Sequence, residues 1–213
     1  MPPTPARIDY HIEKHTISER SETPETIAQW QKVVATCRDG AISSEISRVL
    51  LALRTVDYVT SFELPFRLLV TRAPQAIDKL RDEHKVYCKP VTINGRKRGR
   101  VYSLSANINA IPNEFHYQRQ GKVWRLSDGA ITTSSYIDIS RQTPDPRERL
   151  RLALTSGLLV TALDAMLFFG VQRAASDVMV LRKQGLDIKL TRAEVFDNQT
   201  QTRREVPAYF NTP

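Results

Sequence analysis

The densest charge in the chain is the run Asn94-Gly95-Arg96-Lys97-Arg98-Gly99-Arg100, four cations within seven residues. Asn-Gly is the preferred dipeptide of a tight hairpin turn, so the run gathers its cations at one tip. Those charges repel one another, and a polyanion relieves the repulsion while releasing its own counterions. An arginine at such a tip can also enter a narrow minor groove. A second chemistry is offered by two polar sets, Thr71, Arg72, Gln75 and Lys79, and Gln172, Arg173, Ser176, Arg182 and Lys183. Arginine makes paired hydrogen bonds to guanine and glutamine to adenine, so these types along one helix suit the reading of base edges. Arg203 and Arg204 form a smaller basic pair. The plainer alternative is a solvated helix face and a soluble basic loop.

Other chemistries find less support. His11 and His15 stand four apart, a spacing that could hold a metal on a helix, but no third ligand is evident and no metal or cofactor is expected. No glycine-rich phosphate loop, nucleophile elbow or paired-carboxylate cluster occurs, which argues against an enzyme. Cys37 and Cys88 read as packing residues, and two cysteines in 213 residues exclude a disulfide scaffold. Net charge is +8 with a pI near 9.7, which points to an anionic partner. The polar, proline-bearing start contains no secretory apolar core, so a cytoplasmic, nucleoid-associated protein is expected. Leu152 to Val171 is long enough to span a bilayer and carries one charge, Asp164. A carboxylate near the centre and the break at Thr155-Ser156-Gly157 favour two short buried helices instead.

These candidates need elements to hold them. Residues 1–22 show no apolar period and read as a flexible arm. Thr23-Pro24-Glu25 starts a helix that carries Ile27, Trp30, Val33, Val34 and Cys37 and stops at Asp39-Gly40. A second helix begins at Ser43 or Ser44, with Ile46, Val49, Leu50 and Leu53 on one face. From there an internal repeat runs without a gap at an offset of 101 residues. Val59 to Ala73 matches Val160 to Ala174, Arg48 matches Arg149, and Leu80 matches Leu181. In each copy a threonine, Thr60 or Thr161, caps a short second helix. A tight turn follows, at Leu69-Val70-Thr71 and at Phe169-Gly170-Val171. Gly170 suits positive φ and Leu69 does not, so the two turns are expected to differ. A third helix then runs over about 72–84 and 172–184, and strand character succeeds it.

Three helices followed by a β-hairpin is the winged-helix arrangement. Residues of about 147–211 resemble the small winged helix-turn-helix domain common in phage and prophage proteins. The resemblance rests on Thr161-Ala162-Leu163-Asp164-Ala165, Phe169-Gly170-Val171, Arg173-Ala174-Ala175 and Leu181-Arg182-Lys183-Gln184-Gly185, with Leu186-Asp187-Ile188 after it. It implies DNA binding. The first copy departs from the pattern, with His84 where Gly185 stands and Pro65 inside its second helix.

Together these readings give an α+β chain of two tandem winged helix-turn-helix domains with a small β-rich connector. The expected divisions are an arm at 1–22, a first winged helix with a β extension at 23–140, a linker at 141–146 around Pro144-Asp145-Pro146, and a second winged helix at 147–213. Ile131, Tyr136, Ile137 and Ile139 are assigned to the connector as β structure. The expected partner is double-stranded DNA, with room for a homodimer and none for a membrane. The role is that of a transcriptional regulator of a phage, plasmid or other mobile element. A replication initiator or recombination accessory factor is the alternative, and a winged-helix docking module is a third reading.

Overall fold

A computed structural model describes residues 7–212, with the side chains of Lys14, His15, Thr16 and Arg98 outside the description. In chain order the first elements are β1 (Ile8–Glu19), α1 (Pro24–Arg38), α2 (Glu45–Thr55), β2 (Val59–Thr60), α3 (Glu63–Leu68) and α4 (Ala73–Leu80). The chain continues through β3 (Tyr87–Ile93), β4 (Arg96–Ser103), β5 (Glu114–Phe115), β6 (Tyr117–Ser127) and β7 (Ala130–Ile131). It ends with α5 (Thr133–Gln142), α6 (Pro146–Thr155), β8 (Val160–Thr161), α7 (Ala162–Leu167), α8 (Ala174–Lys183), β9 (Ile188–Asp197) and β10 (Thr202–Asn211).

Two compact units result. One holds residues 13–122 with the short segment Gln199–Gln201; the other holds residues 7–12, 123–198 and 202–212. The units therefore do not follow the boundaries expected from sequence. β1 and β6 each change unit partway along.

The first unit starts from well-signalled helices. Thr23 Oγ1 accepts from the Thr26 amide and Pro24 occupies the first turn of α1, whose Trp30, Val33 and Cys37 are buried at helical spacing. Ser44 caps α2 in the same way through the Ser47 amide. Its inner face meets α3 and α4 in a core of Val49, Ala52, Leu53, Leu64, Leu68 and Ile77. Burying such a face supplies most of the stability of short helices like these. The sheet beside it runs β2-β4-β3-β5. Asn94 and Gly95 both take positive φ, 49° and 74°, so the β3–β4 turn is the one the dipeptide signals. A bulge between Val91 and Ile93 faces Gly99, where an added Cβ would lie 2.6 Å from Ile93 Cδ1 and 2.9 Å from the Val91 carbonyl oxygen.

In the second unit the sheet order is β7-β6-β1-β9-β10-β8. β9 and β10 form a long antiparallel hairpin from Asp197↔Thr202 to Ile188↔Asn211, and β8 joins it through Thr161↔Ala208. β1 adds in parallel to β9, with Ile8 opposite Val195. Leu150, Leu154, Leu163, Phe169, Val178 and Leu181 fill the core between helices and sheet.

Several expectations are corrected here. The segment taken as a flexible arm carries the twelve-residue strand β1, with Ile8, Tyr10, Ile12 and Ile17 buried. Its signal is period-two alternation, diluted by polar residues on the other face. Residues 1–6 lie outside the described residues. Tyr136, Ile137 and Ile139 are helical rather than β, and Tyr136 and Ile139 face inward three residues apart. The expected linker is reduced to three residues, because Asp145 caps α6 through the Arg147 amide with Pro146 at its first position. The Pro-Asp-Pro run thus starts a helix. The apolar stretch after Leu152 divides as expected, with α6 ending at Thr155, Gly157 at φ 80° and α7 beginning at Ala162. No described helix is long and apolar enough to cross a membrane.

Candidate nucleic-acid interface

The repeat at offset 101 is repeated in geometry. In the first unit Thr60 Oγ1 accepts from the Glu63 amide at 3.2 Å and Glu63 Oε2 accepts from the Thr60 amide at 2.9 Å. In the second, Thr161 Oγ1 accepts from the Asp164 amide and Asp164 Oδ2 from the Thr161 amide, both at 2.9 Å. At Thr161 this reciprocal pair is a capping box that fixes where α7 begins. The expectation that Thr60 caps its helix is corrected: the same pair of bonds closes a turn ahead of α3, whose cap position is Phe62 and carries no side-chain bond. A tyrosine reaches each pair. Thr60 Oγ1 donates to Tyr117 Oη at 3.0 Å, and Tyr10 Oη lies 2.6 Å from Thr161 Oγ1 while donating to Asp164 Oδ1 at 2.8 Å. Each carboxylate also meets an arginine laid over an aromatic ring. Arg67 pairs with Glu63 at 3.3 Å and stacks on Trp30, whereas Arg125 pairs with Asp164 at 2.9 Å and stacks on Tyr136.

Burial dominates the electrostatics of both clusters. It pushes the Glu63 carboxyl above its usual range, against the pull of Arg67 and the Thr60 amide. It likewise raises Tyr10 and Tyr117, helped by the charges of Asp164 and Glu63. Burial opposes the charge on Arg125, yet the Asp164 carboxylate holds that guanidinium more firmly protonated than usual.

The turn after α3 matches the turn after α7. Leu69 takes φ 51° and Gly170 φ 74°. The Val70 amide donates to the Leu64 carbonyl and the Val171 amide to the Ala165 carbonyl. The expectation that the two turns differ is therefore corrected: a fully buried Leu69 side chain holds the leucine where a glycine would sit more easily. From the preceding helix Arg48 Nε donates to the Leu68 carbonyl, and its counterpart Arg149 Nη1 to the Phe169 carbonyl. The following residues, Arg72 and Arg173, take nearly the same backbone angles, −130°, 55° and −129°, 66°.

Arg72, Gln75 and Lys79 are exposed on α4, and Gln172, Arg173 and Ser176 at the start of α8. Thr71 is half-buried, with its amide and hydroxyl both donating to Glu45. Arg182 and Lys183 are exposed at the far end of α8, where Arg182 Nε donates to the Ile188 carbonyl. That places Arg182 in a structural bond away from the helix start. Arg96, Lys97 and Arg100 are exposed along the first hairpin, and Arg100 Nη1 lies 3.4 Å from Cys88 Sγ. The Arg98 side chain lies outside the description. Arg203 is exposed, but Arg204 pairs with the buried Asp197 at 3.0 Å and donates to Thr202 Oγ1, so it is no free wing cation. The hairpin tip at Gln199–Gln201 groups with the first unit, where Gln199 is buried and donates to the Arg67 carbonyl. The histidine spacing is not helical: His11 lies on β1, where residues four apart stand about 13 Å from each other.

Sequence reasoning found the capping Thr161 but not the acids three residues on from Thr60 and Thr161, which complete the Thr-x-x-Glu/Asp signature in plain view. It also missed Tyr10 and Tyr117, whose roles depend on strand partners distant in sequence.

Compared with known families, residues 147–213 match a winged helix-turn-helix domain. Such domains are non-catalytic DNA-binding modules, and the match supports a general DNA-binding or regulatory role. No curated protein and no solved structure matched the chain.

Proposed function

We propose that the chain binds duplex DNA at specific sequences through two reading heads, α3–α4 and α7–α8. In this reading the first unit is a second winged helix. The observation that carries it is the duplicated turn, which delivers an exposed arginine, Arg72 or Arg173, to the start of each following helix with the same backbone angles. In helix-turn-helix proteins that position reaches base edges in the major groove. The exposed Arg96, Lys97 and Arg100 then contact the phosphate backbone or the minor groove. Arg203 adds a weaker contact from the second hairpin.

The biological role we assign is transcriptional regulation on a phage, plasmid or other mobile element. Two non-identical heads on one chain also suit a replication initiator, which reads repeated sites in one direction. Selection of bound sequences from random duplexes by the intact chain tests the proposal. One palindrome favours regulation and direct repeats favour initiation. Arg72→Ala and Arg173→Ala are each expected to cost about 1–3 kcal/mol on the selected site and to relax preference at separate base pairs. Recovery of no common sequence would overturn specific recognition.

A further inference from the structure

The two helix starts are alike in backbone and opposite in what surrounds them. In the first unit Glu45, the leading residue of α2, turns its carboxylate onto the start of α4. Glu45 Oε1 accepts from the Thr71 amide at 3.1 Å and from Thr71 Oγ1 at 3.0 Å, and Oε2 accepts from the Arg72 amide at 3.4 Å. α4 has no side-chain cap of its own, and Pro74 in its first turn contributes no amide hydrogen. The counterparts at offset 101 are Pro146 for Glu45 and Ala175 for Pro74. The second unit thus lacks the carboxylate and keeps the amide. Its α8 is tied back by an ion pair instead, Arg147 to Asp177 at 2.8 Å.

Amides at a helix start are the donors that usually meet a DNA phosphate, because they point outward at the positive end of the helix dipole. In the first unit the two amides that lead into α4, those of Thr71 and Arg72, already hold an anion. We propose that Glu45 is a specificity-determining positioning residue: a built-in substitute for phosphate that closes the start of α4 to the DNA backbone. The first head is thereby kept for reading bases through Arg72. This rests on the DNA-binding reading above. A carboxylate fixed there repels a phosphate that approaches the same donors, so a register that places backbone against α4 is penalised. Base-directed docking, in which Arg72 reaches past the carboxylate, is not. The charge-assisted hydrogen bonds also hold Thr71 and Arg72 in place before DNA arrives.

The test compares the intact protein with Glu45→Ala, Glu45→Gln and Glu83→Gln on the selected duplex and on random duplex, across a salt series. Glu83 is exposed in the turn beyond the far end of α4, and its change alters net charge as much as Glu45→Gln does. Glu45→Ala is expected to bind random duplex several-fold more tightly, with a salt slope steeper by about 0.9, the value of one added phosphate contact. The ratio of specific to random affinity should fall about tenfold, centred on the base pair read by Arg72. Glu45→Gln should show a smaller change in the same direction, and Glu83→Gln none in slope. A thermal melt of each variant separates these effects from loss of fold. Equal changes for Glu83→Gln and Glu45→Gln, or an unchanged slope in Glu45→Ala, would overturn the inference alone. Failure of the parent chain to bind any duplex would overturn it together with the DNA-binding reading.

Discussion

The capping clusters of the two units share a plan and differ in how the buried carboxylate is compensated. Asp164 is fully buried and meets Arg125, Tyr10 and the Thr161 amide, so its charge is enclosed by donors from β6, β1 and β8. Glu63 is also buried, but Arg67 divides itself between Glu63 and Glu22, and burial prevails over that attraction. The same fold position can thus be held by a fully paired charge or by a carboxyl inclined toward its neutral form. The difference shows that a reciprocal threonine–acid pair fixes local geometry without fixing the electrostatics around it.

The comparison breaks most sharply at Arg125. Arg125→Ala leaves the buried Asp164 carboxylate without its cationic partner and should cost about 3–5 kcal/mol, read from denaturant unfolding. For the same reason an isolated 147–213 fragment, which lacks both Arg125 and Tyr10, should give no cooperative melt. A sharp two-state transition in that fragment would show that the cluster is dispensable.

In the DNA-binding reading proposed above, the basic hairpin separates the units by function rather than stability. Replacing Arg96, Lys97 and Arg100 with alanine should weaken binding to any duplex by about 10–100-fold and flatten the salt slope by about two to three units. The melting temperature should stay near its original value, because these side chains are exposed. Replacing Arg203 alone should change the slope by no more than about one unit.

A smaller effect sharpens the likeness of the turns. Gly170→Ala meets no atom within 4 Å, so only its positive φ resists the change. It should cost about 1 kcal/mol. Leu69→Ala removes a fully buried side chain at the matching place, and its loss should exceed that figure because a cavity is added.

The smallest expected effect is a slope with pH. Glu63 titrates above its ordinary value of 4.5 in the folded protein, so folding takes up protons between that value and the raised one. Its stabilising contribution is full below pH 4.5 and declines as pH rises through the folded pKa. Glu63→Gln removes this decline, and the stability of wild type relative to the variant should fall with rising pH across that window. A constant difference would show that burial does not outweigh the pairing of Glu63 with Arg67.

Much of this architecture was legible in the residues. Thr23-Pro24, Ser44 and Asn94-Gly95 are local signals, and each produced the cap or turn expected of it. The offset between Thr60 and Thr161 carried the duplicated helix, turn and helix. What escaped were features decided by distant partners. β1 alternates only weakly because its polar face is written in ordinary surface residues, and its pairing with β9 joins opposite ends of the sequence. α5 reads as β through its isoleucines, and only the inward spacing of Tyr136 and Ile139 reveals a helix. Arg204 looked like a free cation because Asp197 lies across a hairpin from it.

The parallel pairing of β1 with β9 also sets a schedule for biosynthesis. Residues 8–10 leave the ribosome long before Val195 to Asp197, their partners, exist. At ordinary rates of translation the interval is roughly 10–40 s. Throughout it Tyr10 has no Asp164 to join, and a strand bearing Ile8, Tyr10 and Ile12 waits with an unsatisfied edge. The unit that contains α7 and α8 therefore completes its sheet only once β9 and β10 have been made, while residues 13–122 can acquire most of their structure before then. A nascent chain stalled near residue 190 should accordingly expose β1 to proteases and to strand-binding chaperones.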